Sequence, residues 1–438
     1  MKNDARFLSL NILVQFESTK KQLGFIQNEN FSKKKYQENT KSRAKVLSSE
    51  VVKLKGRLDY LIENISGRKI IYFKKSLLSI LRIGFYEILY DENIPDYAAV
   101  DTAVSLTKLK LNRKASGLTN AVLRNLIRKK ESKADWSENL KKSQKWNSFP
   151  DWLQARWKNQ FSKEIFLDLI NSFNNEPETY IRNNTGKKNK SLQKMLSQKG
   201  VDSEIFNESF LKTKHGVKQI LDHSFFKLGS ISIQDPASYG IVECLGLEKG
   251  DSVLDVCAAP GTKSLAMSFL VGAKGKILSS DIDSSRVEMG IKDLKRNQLG
   301  NIFWSEKDAT KDSFNMVDKI LIDAPCSGTG VIRRKTDIKW RRKETDFIFF
   351  SRLQLKILCH ISEFLKPGGI LVYGTCSIEE IENWKVVEQF LNLNKNFSLL
   401  HLPSSIKNTW VDKRGCLSTI PDINEVDGMF AARLKKND

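Results

Sequence analysis

From residue 229 onward the chain repeats one pattern. A short apolar run ends in small or polar residues, and a segment of helical character follows. The runs are SVLDVC, KGKILSSD, NIFWSE, KILID and ILVYGTC. This alternation predicts a mostly parallel, doubly wound α/β sheet over residues 229–438. Ligands in such sheets bind outside the carboxyl ends of the strands. Here those ends carry Asp255, Asp281, Asp308, Asp323 with Cys326, and Cys376.

The preceding half reads differently. Residues 1–135 predict an all-α domain. Phe7, Leu10, Leu13 and Val14 follow helical spacing, and SLLSILRIGFYEILY is a long apolar-rich segment stopped near Pro95. DYAAVDTAVSLTKLK and GLTNAVLRNLIRKK repeat the period. Residues 136–150 are polar and charged and read as a linker. Residues 151–228 read as a small α/β subdomain. There FPDWLQARWKNQF restarts a helix, TYIRNNT is a short strand, and SLQKMLSQKG is a helix closed by Gly200.

With 438 residues the chain has room for two or three domains. Its net charge of +21, from 72 Lys and Arg against 51 Asp and Glu, favours a polyanionic partner such as nucleic acid. No apolar run approaches the ~20 residues of a membrane span, and no signal-peptide pattern opens the chain, so no membrane association is expected and the cytoplasm is. The six cysteines are Cys244, Cys257, Cys326, Cys359, Cys376 and Cys416. They form no CxxC pair and the histidines show no ligand spacing, so no metal site is expected. Oligomeric state is not written in the sequence; a monomer is the simplest expectation.

The loop LDVCAAPGTKS follows the first strand of the alternation. Ala258, Ala259, Pro260 and Gly261 let a backbone approach a ligand closely, and a helix begins near Thr262. Its free N–H groups would attract a carboxylate or phosphate. Asp281 ends the next strand and could take both hydroxyls of a ribose. The pocket suits a nucleoside cofactor. GxGxxG and GxxxxGK[ST] are both absent, which disfavours a dinucleotide and a nucleoside triphosphate.

Two thiols stand where chemistry could use them. Cys326 follows a strand in ILIDAPCSGTGVIRR and precedes Arg333 and Arg334. Cys376 follows another in ILVYGTCSIEE. Cytosine C5 is a poor nucleophile, but a thiolate adding to C6 makes the ring an enamine whose C5 can attack an electrophilic methyl group. A free thiol with pKa ~8.5 is mostly neutral at pH 7, so cations or helix N-termini must assist. Composition does not choose between the two cysteines.

DVCAAPGTKS, DAPCSGTGVIRRKTDIKW, KPGGILVYGTCSIEEIEN and DGMFAARL together resemble the motifs of RNA cytosine-5 methyltransferases of the RsmB/NOP family. GLTNAVLRNL and IPDYAAVDTAVSLTK resemble a NusB-type RNA-binding domain, and PDWL and SIQDPAS resemble the family's connecting regions. The resemblance covers nearly the whole chain. It implies a Rossmann-like S-adenosylmethionine-dependent methyltransferase sheet, preceded by a NusB-like helical domain and a small α/β RNA-binding subdomain. It implies S-adenosylmethionine as cofactor and small-subunit (16S) ribosomal RNA as partner. By resemblance Cys376 attacks C6, Cys326 assists product release, and Asp323 hydrogen-bonds the cytosine edge. Cofactor contacts carry over to Cys257, Ala258, Ala259, Pro260, Gly261, Thr262, Lys263, Asp281, Asp308 and Asp323. Thr262 stands where the family usually has a second glycine, Gly374 replaces a common alanine, and Met429 and Ala431 replace aromatic residues.

IRRKTDIKWRRK carries seven basic residues and one acid, with Trp340 among them. Arg333, Arg334, Lys335, Lys339 and Arg341 are therefore expected to grip RNA phosphates, with Trp340 free to stack on a base. The rivals are a cytosine-5 methyltransferase acting on another RNA or on DNA, in which latter case Cys326 would be the nucleophile, and a non-catalytic NusB-like RNA-binding factor.

Overall fold

The computed structural model describes residues 4–32, 36–132, 136–213, 216–421 and 423–438. The chain divides into two compact units, Met1–Asn174 with Lys335–Arg342, and Asn175–Arg334 with Lys343–Asp438.

The first unit is helical. Its central helix is Lys75–Tyr90, in which every residue from Leu77 to Ile88 is buried. A helix apolar on nearly all sides has to lie inside its unit, and the helices Ala5–Ser18, Asp96–Lys110 and Arg113–Ser132 pack on it. Gly84 permits one close approach, since a Cβ there would come within 2.9 Å of Leu123 Cδ1. The central helix also buries Arg82. Its Nε and Nη2 donate to the two carboxylate oxygens of Asp59 at 2.6 and 2.8 Å, and Nη1 donates to Glu17 at 2.9 Å. Burial alone would lower the Arg82 pKa, but Asp59 and then Glu17 reverse that and raise it.

Two boundaries differ from the sequence expectation. Residues 136–150 form short helical turns, Glu138–Lys141 and Gln144–Asn147, and Trp136, Leu140 and Trp146 pack against the helical core. Their many polar neighbours hide those anchors from a reading by composition. The helices Asp151–Gln160 and Lys163–Asn174 also belong to this unit, so the α/β part starts at 175 rather than 151. Residues 133–135, at the expected edge of the helical domain, lie outside the described residues.

Part of the basic segment is core as well. Lys339 is fully buried; its Nζ donates to Lys53 O at 3.2 Å and to Asn174 Oδ1 at 2.7 Å, and sits 3.9 Å from the Phe149 ring. Burial pushes the Lys339 pKa well down. Trp340 Nε1 donates to Val52 O at 2.7 Å. Arg341 donates to Phe16 O at 2.7 Å, with its guanidinium 3.7 Å from the Phe16 ring centre. The expectation that Lys339 grips phosphates is corrected, since that side chain is fully buried; Arg341 is partly buried and spends one donor on the Phe16 carbonyl of the same unit.

The second unit holds two sheets. The smaller has the antiparallel order β2-β3-β1-β4, with β1 Thr179–Asn183, β2 Glu204–Ile205, β3 Phe210–Thr213 and β4 Ile231–Ile233. The larger contains β5 Ser252–Val256, β6 Lys276–Asp281, β7 Ile302–Glu306, β8 Val317–Asp323, β9 Leu365–Thr375, β10 Phe397–Leu399, β11 Leu417–Ser418 and β12 Phe430–Lys436. Its order is β10-β12-β9-β8-β5-β6-β7, with β11 paired to β12. Strands β5 to β9 run parallel. These are the five apolar runs of the sequence, and Ile320, Ile322, Leu371 and Tyr373 bury their faces together with Leu254 and Val256. The order reverses at β5: β6 and β7 lie on one side, β8 and β9 on the other. A crevice at the carboxyl ends is the consequence. No described helix is long and apolar enough to cross a membrane.

Removing one partner of a buried ion pair leaves the other charge uncompensated, at a cost of about 3–5 kcal/mol. Asp59→Ala should lower the stability of the helical unit by about 3 kcal/mol, read from urea unfolding followed by far-ultraviolet circular dichroism. An unchanged midpoint would show that Arg82 does not depend on Asp59.

Candidate active site

Strands β8 and β9 pair in parallel register with Asp323 opposite Gly374, so the loops that follow leave the sheet side by side. Cys326 lies in one and Cys376 in the other, and their sulfurs are 3.3 Å apart. Ala324 N donates to Gly374 O at 2.9 Å, and Gly330 N to Cys376 O at 3.0 Å. The hydrogen bond with Cys376 is the largest cause raising the Cys326 pKa; burial and the charge of Glu382 add to it.

The cofactor-type loop reaches the same edge. Gly261 has φ +102° and precedes the helix Thr262–Val271; a Cβ at Gly261 would meet Trp304 at 2.6 Å. Lys263, in the first turn, donates from Nζ to Asp323 Oδ2 at 2.8 Å. Burial alone would lower the Lys263 pKa, but Asp323, and then the nearby Cys376, raise it. Lys263 is thus a firmly charged ammonium facing Cys376, the kind of cation that favours a thiolate.

Asp281, at the end of β6, is buried. Its Oδ2 accepts from Ala259 N and its Oδ1 from Asp283 N, each at 3.1 Å. Arg286 stands 3.5 Å from it. Asp308 follows β7 and accepts from Thr310 N at 2.9 Å, a bond that lowers its pKa. Cys257 has φ +58° and a thiol pushed up by burial, which makes it inert. Asp255 lies beneath the loop with no exposure, accepting from Ser264 Oγ at 2.5 Å, and burial pushes its pKa up to about 7. It braces the start of the helix.

A nucleoside with a charged amino-acid tail fits this donor set. The first amides of the helix Thr262–Val271 have no intrahelical partners and suit a carboxylate. Asp281 and Asp308, at neighbouring strand ends, suit hydroxyls, and Asp323 closes the far side.

Comparison with known proteins decides the family. The family model described as 16S rRNA methyltransferase RsmB/F matches residues 242–435, and that of the NusB family matches residues 3–128. The chain is 32% identical over 376 residues to the probable ribosomal RNA small subunit methyltransferase B of Bacillus subtilis, covering 83% of each chain. It is 31% identical to ribosomal RNA small subunit methyltransferase B of Pasteurella multocida, over 87% of this chain and 84% of the relative. The solved structure of PH0851 superposes with a TM-score of 0.76 over 99% of both chains at 24% identity, a likeness of fold. A methyltransferase homologue from Pyrococcus horikoshii superposes at 0.57 with 27% identity, over 66% of this chain and 96% of its own. The chain belongs to the RsmB/F methyltransferase family. As an RsmB/F enzyme it is an S-adenosylmethionine-dependent ribosomal RNA methyltransferase with a NusB-like helical region.

The RsmB/F motifs that carried the resemblance converge here, with one group standing apart. Arg333 Nε donates to Asp427 Oδ1 at 2.8 Å. Arg334 is bound to Asp427, to Asp235 Oδ2 at 3.0 Å and to Glu178 O at 3.1 Å. Burial, followed by the charge of Asp427, pushes Asp235 up to about 7. These arginines clamp three segments of their own unit; Arg333 is buried there, which corrects its expected grip on RNA phosphate, while Arg334 keeps an exposed edge. Of the five expected RNA contacts, Lys335 is the exposed one that no such clamp holds.

Sequence reasoning missed the groups that fix the loops. Gly330 N binds Cys376 O while Gly428 N binds Gly330 O at 2.9 Å; a Cβ on Gly330 would lie 1.9 Å from Gly428 O. The signal was present in SGTG and DGMF, whose glycines leave room for two backbones to cross closely. Gly330→Ala must push these backbones apart. A displacement of that size should lower methyl transfer to RNA by about a hundredfold, measured with radiolabelled cofactor, while cofactor binding persists. Full activity would show that the crossing is not needed.

Proposed function

We propose that this enzyme methylates C5 of a cytosine in 16S ribosomal RNA through a covalent bond between Cys376 and C6. The observation that carries the reading is the pair of sulfurs 3.3 Å apart at an edge that also holds Lys263 and Asp323. Cys376, as thiolate beside the Lys263 ammonium, adds to C6 and leaves C5 electron-rich. Asp323 hydrogen-bonds the edge of the base. S-adenosylmethionine, when bound, supplies an electrophilic methyl group at C5. Loss of the C5 proton then restores the double bond and expels Cys376.

Cys326 has a role in that last step for a physical reason. The hydrogen bond to Cys376 is the largest of the effects that raise its pKa. Once Cys376 is bonded to carbon, that restraint is gone; Cys326 can then give its proton to solvent and, as thiolate, take the proton from C5. The target cytosine must leave its stack to reach these sulfurs. Exposed Lys335 is the residue of the basic segment kept as an RNA contact. A ribosomal substrate places the reaction in the cytoplasm.

A reading with Cys326 as nucleophile, as in DNA cytosine-5 methyltransferases, is opposed by the ammonium of Lys263, which acts on Cys376. Two variants separate the readings. Cys376→Ala should abolish methylation, by at least about a thousandfold, as loss of a nucleophile does. Cys326→Ala should accumulate a protein–RNA adduct that survives denaturing electrophoresis. The reverse pattern would make Cys326 the nucleophile.

A further inference from the structure

Each cysteine is followed by a serine, and both serines bind one buried carboxylate. Glu382 has no exposure. Its Oε1 accepts from Ser327 N at 2.8 Å and from Gln354 Nε2 at 3.4 Å. Its Oε2 accepts from Ser377 Oγ at 2.5 Å and from Ser327 Oγ. Its own carbonyl accepts from Tyr373 Oη at 2.6 Å, which fixes the backbone that carries it. Gln354 also donates to Pro325 O at 2.9 Å, on the other side of Cys326. Among the described residues no Lys, Arg or His pairs with Glu382. Its partners are hydrogen-bond donors of the two cysteine loops and of the helix Glu344–Ser362 behind them.

A carboxylate kept inside a protein without a cation is costly, so its donors must all stay in place. That makes the arrangement a staple with little slack: burial raises the Glu382 pKa, and the serine hydroxyls cannot retreat without leaving a buried acid unsatisfied. We propose that Glu382 is a positioning residue that holds the Cys326 and Cys376 loops together, so that each sulfur stays within reach of the other. This deepens the proposed function and rests on it, because only a reaction using both thiols in succession requires a fixed distance between them. Glu382 touches neither sulfur in any contact described above and acts through Ser327 and Ser377.

The prediction separates positioning from mere folding. An amide at this place keeps the volume but removes the acid, so the two serine hydroxyls must turn to accept from its NH2 group and hold it by weaker bonds. The full-length Glu382→Gln protein is first checked for cofactor binding by calorimetry, which a folded second unit retains. Two readouts follow. Diamide, an azo oxidant that takes two electrons and two protons, closes a disulfide between neighbouring thiols. In Glu382→Gln closure of the 326–376 bond, followed by mass spectrometry of peptides, should be at least tenfold slower than in wild type. On substrate RNA the variant should accumulate covalent adduct, as Cys326→Ala does, and the double variant Glu382→Gln with Cys326→Ala should accumulate no more than Cys326→Ala alone. Wild-type closure rates overturn the proposal. Should Glu382→Gln not bind cofactor, Glu382→Asp, whose carboxylate is drawn back by one methylene, is tested by the same closure rate with the same decision. If Cys326→Ala itself traps no adduct, the proposed chemistry fails instead, and the diamide result still judges the staple.

Discussion

The arrangement depends on one pairing: β8 beside β9, parallel, with Asp323 opposite Gly374. Parallel neighbours deliver their following loops to the same edge of the sheet, which an antiparallel pair would not do. Fifty positions separate the two cysteines in sequence, yet their sulfurs are 3.3 Å apart. Everything else at the site refines that consequence of topology. The Gly330–Gly428 crossing sets the height of the loops, and Glu382 sets their separation. Lys263 ties the cofactor loop to Asp323, so the cofactor loop and the two cysteine loops share one edge.

Much of this was legible in the sequence because it depends on local pattern. The five apolar runs became the five parallel strands, and the aspartates and cysteines at their ends mark the crevice. The helical half was legible from its period, with SLLSILRIGFYEILY as the buried centre. What stayed hidden depends on distant contacts. Nothing in SIEEIEN distinguishes Glu382 from Glu380, yet the first is buried between two loops and the second pairs with Arg414 in the open. Trp136 and Trp146 are similar: two indoles anchor a stretch whose composition is that of a solvated linker.

The basic segment shows most clearly why composition misleads. A run such as IRRKTDIKWRRK looks like a phosphate grip because cations are usually solvated. Arg333 and Arg334 instead meet Asp235 and Asp427, which lie far away in sequence. Lys339 is buried against carbonyl and amide oxygens and an aromatic face, with burial lowering its pKa. A one-dimensional charge count cannot tell these cations from Lys335, which is exposed.

Net charge and local charge consequently have opposite tasks. The chain carries +21 overall, which suits a polyanionic substrate approaching from solvent. The reacting edge is acid-rich by comparison: Asp281, Asp308 and Asp323 lie at or just beyond its strand ends, with the Lys263 ammonium against Asp323 and the Arg286 guanidinium beside Asp281. A sulfonium cofactor is a cation and is drawn to such an edge, and in the proposed reaction so would be a cytosine protonated at N3. A more basic edge would bind phosphate there and repel both. One ammonium, placed against Asp323 and facing Cys376, gives the sulfur its counter-charge without reversing the sign of the pocket. The chemistry is thus served by where the few site charges stand, while RNA affinity is left to cations elsewhere on the surface.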